Sequence, residues 1–170
     1  MSEHRLLAGP DLNTGPEWYA AHLARLGPLP AGGAHLVQTL ERSELRGRGG
    51  ASFPVAAKWR TVAQHARGNA VVLANGAEGE PLSHKDRVLM RLRPHLVLDG
   101  ALLAASSVGA KQIHLYVGEH HVDAVDALQR AAGERLDSGG VQLVPAPARY
   151  VAGEELSLIH ISEPTRQAEI

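Results

Sequence analysis

A chain of 170 residues and 18.1 kDa suffices for one domain that buries roughly 70% of the surface its unfolded form exposes. Its zero cysteines exclude disulfides, thiolate zinc sites, iron–sulfur ligation and cysteine nucleophiles within this stretch. Seventeen basic against eighteen acidic residues, a net charge of −1, give no field that selects nucleic acid or an anionic membrane.

Hydrophobic residues make up 44% but aromatics only 4%, so the core must be built from Ala, Val and Leu. Residues 1–10 lack the cationic region and apolar core of a signal peptide. The most apolar window, 96–110, contains Asp99 and Gly100 and falls short of the ~20 residues a membrane helix needs. A soluble, cytoplasmic protein is expected.

Residues 1–14 are punctuated by Gly9-Pro10 and predict no regular element. Residues 16–26 place Trp18, Leu23 and Leu26 at helical spacing behind Pro16, which suits a helix start. Gly27-Pro28-Leu29-Pro30 and Gly32-Gly33 make a break, and 34–45 predict a second amphipathic helix through Leu36, Val37 and Leu40. The densest glycine cluster follows, Leu45-Arg46-Gly47-Arg48-Gly49-Gly50-Ala51-Ser52-Phe53-Pro54, and leads into a helix over 55–66. Residues 70–74 read as a buried parallel strand, followed by the polar loop Asn75-Gly76-Ala77-Glu78-Gly79-Glu80-Pro81. Helical patterns occupy 84–92, 94–108 and 122–132, with strands at 113–117 and 141–144. This alternation predicts an α/β fold with a mostly parallel sheet and flanking helices.

Two loops could carry chemistry. Successive glycines let backbone N–H groups approach a phosphate, and the helix after Pro54 offers the same anion its positive dipole end. Arg48 and Lys58 add mobile positive charge; the alternative is a surface turn with solvated arginines. Neither a P-loop nor a standard dinucleotide fingerprint is present, since Ser52 replaces the third glycine and the preceding segment reads as helical. In the second loop Asn75 follows a strand at its carboxyl end, where open α/β sheets bind ligands. Glu78 and Glu80 could accept from ribose or ribityl hydroxyls, or merely solvate a loop. Lys85-Asp86-Arg87 is either a charged first helical turn or an ion-pair set that pins this loop. The ten histidines include no H-E-x-x-H pair, and His120-His121 read as surface residues. No G-x-S-x-G elbow supports nucleophilic hydrolysis.

Taken together, L-R-G-R-G-G-A-S-F-P with Lys58-Trp59, N-G-A-E-G-E-P with Lys85-Asp86-Arg87, Pro94-His95-Leu96 with Gly100, and Tyr150-Val151-Ala152-Gly153-Glu154-Glu155 resemble one family. It is the NADH-binding FMN flavoprotein subunit of respiratory complex I, with relatives in NAD-dependent hydrogenases and formate dehydrogenases. The resemblance covers about residues 45–155 and is that of an amino-terminal fragment. It implies a helical segment over 1–44, then a partial FMN- and NADH-binding α/β domain. The family's FMN contacts fall on Gly47, Gly49, Gly50, Lys58, Asn75, Glu78, Gly79 and Gly153. Positions facing the nicotinamide dinucleotide fall on Phe53, Glu80, Glu154 and Glu155.

Hydride transfer from NADH to FMN is then cofactor chemistry that asks no side chain for a general base. A [4Fe–4S] cluster is expected only in the family's carboxyl-terminal part. Implied partners are NADH and the other subunits of an electron-transfer complex, peripheral to the inner face of the plasma membrane, with no nucleic acid and no direct membrane insertion. Departures from the family pattern are Ala77, Leu82, Ser52, Ala56 and Thr61. Ala77 also resembles the N-A-A-E-x-E-P loop of the C subunit of Rnf-type ferredoxin:NAD oxidoreductases. Another alternative is a flavin- or nucleotide-binding remnant without turnover. Residues 156–170, LSLIHISEPTRQAEI, leave the family pattern after Glu155, and as far as Arg166 they resemble the translation of a transposase adapter used in sequencing libraries. The expectation is a non-native tail without function, beyond which the real gene continues.

Overall fold

The computed structural model describes residues 6–47, 52–66, 68–78 and 82–147. In chain order the elements are a 3-10 turn (Leu12–Thr14), α1 (Tyr19–Leu26), α2 (Ala34–Arg42), α3 (Val55–His65), β1 (Val71–Gly76), α4 (Lys85–Leu92), α5 (Pro94–Val108), β2 (Gln112–Gly118), α6 (Val122–Gly133) and β3 (Val141–Ala146). The strands pair in parallel in the order β1-β2-β3.

Register explains the core. Val72 lies opposite Ile113, Ala74 opposite Leu115 and Leu115 opposite Leu143, so alternate residues of all three strands share one face. That face carries α4, α5 and α6 through Met90, Leu98, Ala101, Ala105, Ala124, Leu128 and Ala131. Alanine on the buried sides of α5 and α6 lets the helices approach the sheet closely, which is how a chain with few aromatics fills its interior. Leu73, Tyr116 and Val144 occupy the opposite face. Pro145 is tolerated because β3 lies at the edge of the described sheet.

Helix ends follow local chemistry. Pro94 opens α5 at its first turn, and Gly109 closes it in a left-handed conformation, φ +72°, donating to Ala105 O. The second helix stops three residues before the predicted Leu45. There Glu44 turns left-handed, φ +51°, and the Leu45 amide reaches back to Leu40 O.

The amino-terminal part corrects two expectations. The first helix starts at Tyr19 rather than Pro16, with Trp18 as its N-cap, because Glu17 is committed elsewhere. Glu17 is 1% exposed, donates its N–H to Leu92 O at 3.1 Å and accepts both Arg25 donors at 3.0 and 2.8 Å. Residues 6–11 are not aimless either. Buried Arg93 donates to the carbonyls of Leu7 (2.9 Å), Ala8 (3.0 Å), Pro10 (2.7 Å) and Leu92 (2.9 Å). Around this strap His22 contacts Asp99 at 2.7 Å, Arg135 bridges Asp99 and Asp137, and Glu134 accepts from the Tyr19 N–H, His95 and Arg130. Buried charges are thus paired across α1, α5 and α6, as desolvation requires.

Candidate cofactor-binding site

The glycine loop is closed at its base by the backbone. Gly47 N–H donates to Phe53 O at 2.9 Å, Val55 N–H donates to Leu45 O at 3.0 Å, and Arg46 bridges Pro54. Two short antiparallel contacts therefore deliver the chain directly into α3. Among the described residues no side chain caps that helix; with the Val55 amide taken by Leu45 O, those of Ala56 and Ala57 are the ones left to face an anion. Ser52 has φ +46°, a left-handed geometry that costs a residue with a Cβ about 1 kcal/mol.

Gly47, Phe53, Lys58 and Trp59 form one wall of a groove of about 670 Å³. Its floor is Val71 to Ala74 of β1, and its far wall is α5 around Val97 and Gly100. A side chain added at Gly100 would meet nothing within 4 Å, which leaves the helix backbone open there. The volume lies within the range of small-molecule clefts. Phe53 is 57% exposed, so much of its ring is available.

At the carboxyl end of β1 lies a smaller cavity of about 100 Å³, sharing Ala74 and Val97 with the groove and lined further by Asn75, Gly76 and Asp86. Space at Gly76 is tight: a Cβ there would sit 2.7 Å from Met90 Sδ, which would have to move, and 3.3 Å from Tyr116 O. Asn75 Oδ1 accepts from the Ala77 N–H at 3.2 Å, turning the chain out of the sheet. Glu78, φ +46°, does not extend into free space. Its Oε1 accepts from Ser83 Oγ and the Asp86 N–H, both at 2.9 Å, and its Oε2 from the Arg87 N–H at 3.2 Å. Burial, the largest single influence, pulls this carboxyl upward, but those donors and Lys85 together hold it below the ordinary range.

Of the two readings of Lys85-Asp86-Arg87, the charged first helical turn is the one observed, since α4 starts at Lys85 with Asp86 in its first turn. Lys85 pairs with Asp86. Arg87, in that first turn, reaches across to clamp Asp123 of α6, Nε to Oδ1 and Nη2 to Oδ2, each at 3.0 Å. His121 is a correction: His120 is exposed, whereas His121 is 6% exposed, with no partner for Nδ1 among the described residues. It starts α6, and burial, then His120, lowers its pKa.

The structure therefore gathers Gly47, Phe53 and Lys58 at one groove and sets Asn75 and Glu78 beyond its end. Arg48, Gly49, Gly50, Gly79, Glu80, Gly153, Glu154 and Glu155 lie outside the described residues, as do residues 156–170. Sequence reading missed Trp59 and the β1 side chains as groove lining; the apolar strand beside a helix bearing Trp59 was the available signal.

Comparison decides the family. The model of the Nuo51 FMN-binding domain matches residues 40–168. The chain belongs to this family. Among curated relatives of the Nuo51-type chain, the F 2 subunit of NADH-quinone oxidoreductase from Rhizobium meliloti (strain 1021) is 30% identical over 77% of the chain and 34% of its own length. The F subunit of the same type of enzyme from Rhodobacter capsulatus is 32% identical over 75% of the chain and 33% of its own length. The chain thus spans about a third of these relatives. An NAD+-reducing [NiFe]-hydrogenase in the air-oxidized state shares the fold with a TM-score of 0.63 and 31% identity, over 87% of this chain and 28% of that one. The H2-reduced state gives 0.61 and 35%, over 75% and 24%. The fold class read from the sequence, mixed α/β with a parallel sheet, is the one observed. Among the described residues no helix is long and apolar enough to cross a membrane, and no metal-binding cluster is present.

Proposed function

We propose that this Nuo51-type chain is the cofactor-holding part of an electron-input subunit, one that takes a hydride from NADH onto FMN and delivers electrons to iron–sulfur centres outside this chain. The observation that carries the reading is the groove, bounded by a closed glycine loop, an uncapped helix start and Lys58, in a chain of an FMN-binding family. The donor set fits FMN. Lys58 and the α3 amides supply the positive end that a phosphate needs, and the apolar β1 floor suits a flat ring system.

When bound, FMN would accept two electrons as hydride and release them singly. The protein's own part is binding and orientation. Gly47 and the loop through Phe53 would admit the phosphate, and Phe53 offers an exposed face to the dinucleotide. Glu80 and Glu155 would accept ribose hydroxyls and repel an additional phosphate, favouring NADH over NADPH. The chain by itself would bind without sustained turnover, and partner subunits would place it at the inner face of a membrane. Residues 156–170 would contribute nothing, as adapter-derived sequence; genomic reads running unaltered through the Ile170 codon overturn that.

Titrating the purified chain with FMN, then adding NADH under argon, tests the reading. Saturable flavin binding followed by bleaching of the flavin band supports it. Failure to bind FMN overturns it, and binding without bleaching supports the remnant alternative.

A further inference from the structure

The fourth helix begins without a cap of its own, since His84 at the N-cap makes no side-chain hydrogen bond. The donors a cap normally satisfies are the second and third helical amides, here Asp86 and Arg87. Both are taken by Glu78, which stands beyond the end of β1. The same carboxylate accepts from Ser83. Arg87 carries the connection onward to Asp123, which itself accepts from the Ala124 N–H in the first turn of α6. A continuous polar strut therefore runs from the end of β1 through α4 to the start of α6. Glu78 adopts a left-handed backbone to make it, a conformation that persists only where surrounding contacts enforce it.

We propose that Glu78 is a positioning residue: it caps α4 from the far side of the loop and so fixes, before any ligand arrives, the span that residues 79–82 must bridge. This departs from the family resemblance, in which Glu78 touches FMN itself. A carboxylate whose two oxygens already accept three bonds is committed to the protein, and its influence on a ligand passes through the loop it anchors. Glu80 lies within that loop. The inference rests on the function proposed above for its relevance to flavin and nucleotide, but not for its geometry.

The experiment has two arms on the full chain. The first follows amide exchange of Asp86 and Arg87 in the ligand-free protein from pH 7 downward. Lys85 and Arg87 on α4, and His121 at the start of α6, are the charged or titratable groups that act on Glu78 across the described contacts. Protection of the two amides is expected to fall as Glu78 takes up its proton, below the ordinary carboxylate range. Glu78→Gln should raise their exchange about 10-fold at pH 7 and abolish the pH step, leaving α5 and β2 unchanged. Glu78→Asp, charged but too short to reach both amides, should raise exchange as well. Unaltered rates in both variants overturn the proposal.

The second arm titrates FMN into Glu78→Gln, Asp123→Asn and the double variant. Residues acting through one strut couple, so each single change should weaken binding about 10-fold and the double change little further. Independent effects that multiply to about 100-fold, or no effect of Asp123→Asn, would return Glu78 to direct contact with the ligand and overturn the proposal. A wild-type chain that takes up no FMN defeats the proposed function, while the exchange arm still decides the role of Glu78.

Discussion

Replacing Arg93 with Met tests how the amino-terminal strap is attached. Met preserves much of the apolar stem and removes all the donors. Of the four carbonyls served by the guanidinium, Leu92 O keeps a partner in the Glu17 N–H, whereas those of Leu7, Ala8 and Pro10 lose theirs. Hydrogen bonds to a charged donor contribute about 1.5–3 kcal/mol each. The three lost bonds would together cost at least about 4.5 kcal/mol, but removing a buried guanidinium also removes its desolvation cost, which lowers its pKa here and cuts the net loss to about 3 kcal/mol. For a chain of this size that is a drop in Tm of about 10 °C. Gly9→Ala should act similarly from the opposite side. With φ +126° and a new Cβ 2.9 Å from Arg25 Nε, 3.2 Å from Glu17 Oε1 and 3.3 Å from Arg93 Nε, it cannot occupy its seat. Thermal melts followed by circular dichroism, with limited proteolysis over residues 6–26, provide the readouts. An unchanged Tm and unchanged protease resistance in Arg93→Met would refute the reasoning.

Ser52→Gly should relieve the left-handed strain, partly offset by glycine's freer unfolded chain, and raise stability by up to about 0.5 kcal/mol in urea unfolding; a clear loss would show that the hydroxyl matters more than the backbone. Burial lowers the pKa of both His95 and His121, against Glu134 in the first case. Their contribution is therefore complete above about pH 6.5, the unfolded value, and is lost as pH falls toward the folded values, by at most about 1.4 kcal/mol per pH unit for each. The double variant His95→Gln with His121→Gln should flatten a stability profile taken between pH 7 and 5.5, and a flat wild-type profile would contradict the assignment. Lys58→Gln should weaken FMN binding about 10-fold, read by flavin fluorescence, with far-UV circular dichroism unchanged; equal affinity would remove Lys58 from the site.

Local signals decided what was legible in the sequence. The bounds of α5 can be read directly, because Pro94 and Gly109 punctuate an unbroken apolar run. The strands emerge from β-branched runs, each lengthened by one or two residues where pairing carries on past the apolar stretch, as at Asn75 and Gly76. Contacts between distant segments were invisible. Nothing near His22 announces Asp99, and nothing near residues 7–10 announces Arg93. The role of Glu78 was hidden for another reason. A glutamate after a strand reads equally as a ligand contact or a solvated loop residue, and only the position of two amides, eight and nine residues later, distinguishes a cap from either.

The match to the family model begins at residue 40, but cooperative folding does not divide there. Arg93, His95, Asp99 and Arg135 belong to the matched region, while Glu17, His22 and the strap carbonyls that complete their pairing precede it. Expressing only the part that defines the family would expose Arg93 without its acceptors and Asp99 without its histidine. Solubility and yield of such a shortened protein would reflect that severed network rather than any defect in the flavin domain. The useful boundary for recombinant work lies before residue 6, well upstream of the start of the family-model match.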